Sequence, residues 1–341
     1  MKLPPLRVKT LPFAVALQCH VDSFELSTEE YCHMNPSSAF VPDQCIECWF
    51  GFGGHRAGQA IKAAGYQCIG FDVRAEAMHE FEAAGFKASA SVGSMLHLTN
   101  TLVLAVFDTS GVQAVVEQIL QHRKIQVQTR PSVITLIDCS TGDPVKLAEL
   151  TPQLSEEGIQ FIEAPLSGSS VQIENGQATL LLGGEIQHIE SVKLLLNALA
   201  ISQVHVGGAG MAAKAKLATN LVLGLNRAAL AEGMVFAQTL GIQPETFLQL
   251  VLNTPARSEA AVVKGNMMVK EEFEPQSRIR QHLKDVQLML DMADLSSQNL
   301  PLSQAHAQLM RNAIAQGDGE LDNAAIIRQI RRETTQSNHK K

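Results

Sequence analysis

Aromatic side chains are scarce in this chain, 5% of the residues with one Trp and two Tyr. With Ala, Leu, Val, Gly and Gln plentiful, that scarcity suits helices packed on a parallel sheet. Runs of one charge are also missing. The formal charge is −7 and no long basic stretch precedes the tail, so nucleic acid has no electrostatic footprint here. No apolar run is long enough to cross a bilayer. Leu221 to Leu225 sits in an amphipathic pattern with Asn226, Arg227 and Glu232. Near the start, Lys2, Arg7 and Lys9 precede the apolar Leu11 to Cys19, the outline of a signal peptide. Pro12 interrupts it and no small-x-small cleavage site follows. Cysteine is sparse, six in 341 residues, which excludes a disulfide framework. Cys68 and Cys139 lie in apolar strand-like runs, where buried reduced thiols are expected. Cys45 and Cys48 form a single CxxC with only Cys32 and His33 nearby; a zinc site needs better-spaced ligands, and no metal is expected. The expectation is a soluble cytoplasmic protein with neither a nucleic-acid nor a membrane partner, organelle import being the lesser alternative.

The length accommodates two domains. Residues 1–43 carry Pro4, Pro5, Pro12, Pro36 and Pro42 without periodicity and read as an irregular extension. From 44 to 209, apolar strand-like runs alternate with helical patterns. The strands are expected at Ile46 to Phe50, Gln67 to Phe71, Leu102 to Phe107, Val133 to Ile137, Gln160 to Glu163, Thr179 to Leu182 and Gln203 to Val206. Helical patterns fill most gaps, including Ala57 to Ala64, Ala75 to Ala84, Val112 to His122, Pro144 to Leu154 and Ile186 to Leu199. Strand, helix, strand at this spacing predicts an α/β fold with a parallel, doubly wound, Rossmann-type sheet. From 210 to 332 only helical periodicity remains, which predicts an all-α C-terminal domain. Residues 333–341 are polar and expected to fray.

Gly51-Phe52-Gly53-Gly54 follows a strand and precedes a helix, and Asp72 ends the next strand 21 residues past Gly51. That is the layout of a dinucleotide site: Gly51, Gly53 and Gly54 let backbone approach the pyrophosphate, and the acid takes the ribose hydroxyls. Asp72 favours NAD over NADP, and Arg74 leaves room for NADP. The loop is irregular, because the third glycine of the usual fingerprint falls on Arg56; Gly54 in a shortened loop or Gly58 in a lengthened one takes its place. Two hydroxyl-bearing segments follow other strands, Asp138-Cys139-Ser140-Thr141 and Ala164-Pro165-Leu166-Ser167-Gly168-Ser169-Ser170. Together they suit a carboxylate cup; as single segments they suit caps and solvated turns. Lys216 and Asn220 lie one helical turn apart on an apolar helix, where a lysine either snorkels to water or serves a site. Lys284-Asp285 reads most simply as a solvated pair.

These segments, taken in order, resemble the β-hydroxyacid dehydrogenases, the group of 3-hydroxyisobutyrate dehydrogenase, tartronate semialdehyde reductase and L-threonate dehydrogenase. The resemblance runs from about Ile46 to Ile327. It rests on Asp138 to Thr141 with Pro144, Ala164-Pro165 with Ser167-Gly168, Asn175-Gly176 with Gly183-Gly184, Gly207 and Gly210 before Lys216 and Asn220, Ala231-Glu232, and Lys284-Asp285. It implies a hydride transfer between a short 3-hydroxy acid or sugar acid and NAD, with NADP possible. Lys216 matches the family's proton-transfer lysine and Asn220 the asparagine that orients it. Ser140, Ser167, Gly168 and Ser169 match the substrate carboxylate site. Thr141, Phe107 and Asp108 match cofactor contacts, the last two loosely, and Lys284 a lysine near both cofactor and substrate. Burial of Lys216 and like-charge repulsion from Lys284 would bring its pKa from about 10.4 toward 7–8. Association into a homodimer or homotetramer follows by analogy. The irregular glycine loop supports a competing expectation, a non-catalytic relative acting as a binding or assembly module.

Overall fold

In the computed structural model the described residues are 45–46, 54–125, 133–168, 172–173 and 175–338. The expected extension, Gly51, Gly53 and Ser169 lie outside them. Nine strands are described. β1 (Cys45–Ile46), β2 (Gln67–Gly70) and β3 (Lys87–Ala88) form one parallel sheet in the order β1-β2-β3. β4 (Thr101–Leu104), β5 (Ile134–Asp138) and β6 (Ile159–Glu163) are parallel neighbours, with Leu104 opposite Asp138 and Asp138 opposite Glu163. β8 (Thr179–Gly183) follows β6 in the sheet, flanked by β7 (Leu166–Ser167) and β9 (Ser202–Gly207). β1 approaches β4, so the strand order reverses between them, the doubly wound arrangement.

The sheet departs from the all-parallel expectation in one place. β8 runs antiparallel to both β6 and β7. A parallel return needs a crossover of a dozen or more residues, usually helical; here Leu166–Ser167 runs on in the direction of β6 as an edge strand, and the chain reverses between it and β8. β3 and β7 hold two residues each and leave no readable alternation.

Alternation explains why the longer strands are buried on both faces. Leu102, Leu104, Ile134, Leu136, Ile159 and Phe161 face one apolar cluster, and Val103, Ile137 and Ile162 face the other, as a period of two requires. The first cluster is closed by α3 (Val92–Met95), α4 (Thr109–Ile125) and α5 (Pro144–Glu156). The second is closed by α1 (Gly54–Ala63) and α2 (Ala75–Ala83). α6 (Ile186–Ser191) and α7 (Lys193–Leu199) cover it too. The last two were expected as one helix; Val192, at φ −119°, divides them.

Every element after Gly207 is helical among the described residues, apart from one bridge between Arg278 and Asp322. α8 (Met211–Thr239) is rich in Ala and Leu, the best helix formers. α9 (Pro244–Leu252), α10 (Glu259–Lys270), α11 (Ile279–Leu295), α12 (Pro301–Ala315) and α13 (Ile326–Asn338) pack with it around a third core. Residues 333–338, expected to fray, continue α13; Glu333 accepts from Asn312 and Gln329 at 3.1 and 3.0 Å.

The start of α8 is fixed against the sheet. Glu163, at the end of β6, accepts from the backbone N–H of Gly210 and, at 2.9 Å, of Ala213. A carboxylate at a helix N-terminus meets both the unpaired N–H groups and the positive end of the dipole. Gly210 has φ +79°, and a Cβ there would sit 2.9 Å from the Pro144 carbonyl oxygen. This turn requires glycine on both counts.

Candidate active site

A cavity of about 530 Å³ opens between the carboxyl ends of β4 and β5, the edge strand β7, and helices α8, α10 and α11. It gathers Phe107, Ser140, Thr141, Ser167, Gly168, Lys216, Asn220 and Lys284, eight residues expected from sequence. Asp72 and Asp108 are not in its lining.

Lys216 comes from the first half of α8 and is 8% exposed. Its Nζ donates to the Leu166 carbonyl at 2.6 Å, so it does not snorkel to water. Burial disfavours the ammonium form and pushes the Lys216 pKa down to about 8, against the opposing pull of Asp285. Lys284 is not among the causes, which corrects the expected like-charge contribution: its charge is directed elsewhere.

Lys284 and Asp285 are not a solvated pair either. Asp285 is buried and its Oδ1 pairs with Lys284 Nζ at 3.1 Å. Lys284 also donates to the carbonyls of Phe107 and Thr141, at 2.7 and 2.9 Å, and lies 5.1 Å from the Phe107 ring centroid. It therefore ties α11 to the loops after β4 and β5. Asn220 Nδ2 donates to Asp285 Oδ2 at 3.3 Å. Burial raises the Asp285 pKa, while Lys284, Lys216 and Asn220 favour its ionised form. Lys216, Asn220, Asp285 and Lys284 thus form one connected set. Asp285 was seen in the sequence only as the neighbour of Lys284; the turn-by-turn spacing of Lys216 and Asn220 carries no sign of it.

The Ser140 segment is held from below. Asp138 Oδ1 accepts the Ser140 N–H at 2.9 Å, and Ser140 Oγ accepts the Val106 N–H at 2.9 Å. Burial raises the Asp138 pKa. Cys139, expected to be buried, is half-buried and lines the cavity; Cys68 is buried as expected.

The cofactor end lies at the switch between β1 and β4. α1 begins at Gly54, so Gly58 lies inside the helix rather than in a lengthened loop, with Cys68 Sγ 3.8 Å from its carbonyl. Asp72 follows β2, but Arg74 already holds it: Arg74 N and Nε donate to Oδ1 at 2.9 and 3.2 Å, and Nη2 lies 3.1 Å from Oδ2. Asp108 caps α4, accepting from the Gly111 N–H at 3.1 Å and from Ser110 Oγ. A helix N-terminus after β1, an acid after β2, and the Phe107 and Thr141 loops at the ends of β4 and β5 fit a nicotinamide dinucleotide. α1, Asp72 and Arg74 would hold its pyrophosphate and adenosine ribose, and the two loops its reactive ring.

At the far end of the cavity stand Arg227, Lys264 and His282, which sequence reasoning missed. Arg227 lies on the same face of α8 as Lys216 and Asn220, eleven and seven residues on, a spacing that was available as a signal.

Residues 50–208 match the family model described as the NAD binding domain of 6-phosphogluconate dehydrogenase. Residues 208–330 match the model described as NAD-binding of NADP-dependent 3-hydroxyisobutyrate dehydrogenase. A 2-hydroxy-3-oxopropionate reductase of Escherichia coli K12 is 30% identical over 206 residues, 60% of this chain and 70% of that protein. The chain belongs to the β-hydroxyacid dehydrogenase family. Within the family, an L-threonate dehydrogenase of Cupriavidus necator is 27% identical over 282 residues, covering 82% of this chain and 92% of that one. The fold matches a solved 3-hydroxyisobutyrate dehydrogenase from Salmonella typhimurium with a TM-score of 0.73 at 23% identity, over 84% of this chain and 99% of that one. Both matched models are NAD-binding, and NAD(P) is the cofactor class of this chain. Among the described residues no helix is long and apolar enough to cross a membrane.

Proposed function

We propose that this β-hydroxyacid dehydrogenase oxidises a short 3-hydroxy acid or sugar acid, or reduces its oxo form, with Lys216 as the proton-transfer residue. The carrying observation is Lys216 itself: a buried amine with a pKa near 8, one N–H on the Leu166 carbonyl, facing a cavity lined by hydroxyls. A bound nicotinamide supplies the hydride chemistry. In oxidation the neutral Nζ takes the proton of the substrate hydroxyl, and in reduction the ammonium returns it to the developing alkoxide. A group with a pKa close to working pH does both. Asn220, anchored on Asp285, positions the amine and the substrate oxygen. Ser140 and the Ser167-Gly168 segment, with Ser169 beyond the described residues, bind the substrate carboxylate through hydroxyls and backbone N–H groups. Lys284 holds the Phe107 and Thr141 loops, and its charge favours an anionic substrate. The Asp72–Arg74 pair sets the choice of dinucleotide: with Asp72 on the ribose hydroxyls NAD binds, and with Arg74 swung outward NADP is accepted.

The test is turnover of a panel of short hydroxy acids with NAD and NADP, followed at the absorbance of the reduced cofactor, beside a titration with NADH read through Trp49, the single tryptophan. Reduction of either dinucleotide by at least one hydroxy acid is expected. Failure to bind NADH in the millimolar range would sink the enzyme reading and leave a non-catalytic binding module.

A further inference from the structure

The cavity extends well past Lys216. Asn220, Leu223 and Arg227, at four, seven and eleven residues beyond it, stay on the same helix face and line the same space. Arg227 is 3% exposed, and its Nε and Nη2 have no hydrogen-bond partner.

Its surroundings supply no free anion. The carboxylate that acts on it electrostatically is Asp322, which is fully buried and already used. Asp322 Oδ2 accepts from Lys264 Nζ at 2.8 Å and from the N–H groups of Gln276 and Ser277 at 2.9 and 3.1 Å. Its Oδ1 accepts from the Ala324 N–H at 2.9 Å. The histidines beside the guanidinium, His282 and His306, have ring centroids 5.3 Å apart. Both are kept neutral by burial first and by Arg227 second. Four cationic side chains line the cavity, Lys216, Arg227, Lys264 and Lys284, against the two carboxylates Glu259 and Asp285. Lys284 offsets Asp285 and Asp322 offsets Lys264. Glu259 is exposed and accepts from Gln172 at 2.9 Å. The buried charge at Arg227 is left without a counterion. Guanidinium stays ionised in a protein and presents a planar fork that matches a carboxylate. A buried charge of this kind is stable only when paired.

We propose that Arg227 binds a second anionic group on the substrate, so that the substrate is a short hydroxy acid carrying a distal carboxylate. For the identity of the reacting end this rests on the dehydrogenase reading; for the anion site it does not. Eleven residues place Arg227 about 16 Å along α8 from Lys216, a span that the two long side chains and the bound substrate cover together. With each head reaching several ångströms into the cavity, a short carbon chain between the reacting carbon and the distal carboxylate fits the remainder.

The binding test uses thermal shift of the full chain with glutarate and butyrate as probes. Glutarate is expected to stabilise the wild type at about tenfold lower concentration than butyrate. Arg227→Met and Arg227→Gln should erase that preference, while Arg227→Lys retains part of it. Equal responses to the two probes in the wild type, or a preference that survives both neutral variants, would overturn the proposal. If both neutral variants fail to fold, the wild-type comparison and Arg227→Lys still decide. The kinetic test compares a 2-(hydroxymethyl)alkanoate ending in a carboxylate with its counterpart ending in a carboxamide of the same length. The wild type should favour the dicarboxylate about 30-fold or more in kcat/KM, mainly through KM. Turnover of both at equal rates overturns the anion site and leaves the dehydrogenase standing. A glutarate preference without turnover of any hydroxy acid does the reverse.

Discussion

Lys216 shows how a residue that looks ordinary in sequence becomes chemical in place. A lysine on an apolar helix face is expected to snorkel, and its neighbours Leu217 and Leu221 give no reason to think otherwise. Packing buries it beside the cavity at 8% exposure, and the Leu166 carbonyl takes one N–H. The displacement of its pKa from 10.5 to about 8 corresponds to a folding cost on the order of 3 kcal/mol. The direction follows from the depressed value. Below pH 8 both folded and unfolded lysine are charged and the cost is felt in full. Between 8 and 10.5 the unfolded state alone keeps its proton, so wild-type stability rises with pH. Lys216→Met is therefore expected to raise the unfolding temperature at pH 7, and to lose that advantage as pH approaches 10.5. A variant less stable than wild type at pH 7 would mean that the Leu166 hydrogen bond outweighs the buried charge. Asp285 works beside it without having been foreseen as a partner, because its contact with Asn220 joins residues 65 apart in the chain.

At the scale of elements, α8 is the piece on which the site depends. Its N-terminus is joined to the sheet by the Glu163 carboxylate, and one face of it carries Lys216, Asn220 and Arg227. Glu163→Ala removes the acceptor for two N–H groups and is expected to destabilise the fold by about 2 kcal/mol, read as a lower urea midpoint. An unchanged midpoint would show that the Gly207–Gly210 turn holds α8 unaided. The helix was legible in sequence because Ala and Leu recur over Met211–Thr239, and the strands of five residues were legible as apolar runs. Two-residue strands such as Leu166–Ser167 have no period to detect, and they read as loops. The reversed direction of β8 was hidden for a different reason. Apolar runs report burial and say nothing of which way a strand points. The division at Val192 depends on one residue's φ, which hydrophobic spacing does not encode.

The whole molecule assembles its cavity from segments nearly two hundred residues apart, with Lys284 bridging to Phe107 across 177 positions. Sequence motifs named residues that the cavity brings together, since Ser140, Ser167, Lys216, Asn220 and Lys284 each sit in a short recognisable segment. They missed Arg227, whose spacing from Lys216 was the one available signal, and Lys264 and His282, whose meaning exists only once α8, α10 and α11 close around one space. Asp72 was singled out in sequence but its pairing with Arg74 was not, and the proposed dinucleotide choice turns on that pairing. The proton at Lys216 is followed most directly by the pH dependence of hydride transfer at saturating cofactor, wild type beside Lys216→Ala. Wild-type oxidation should rise with an apparent pKa near 8 as the amine loses its proton, and reduction should fall across the same range. Lys216→Ala should lose that transition and about 10²–10⁴-fold in rate while still binding NADH. Near-full turnover by Lys216→Ala, with the transition intact, would exclude Lys216 as the proton-transfer residue.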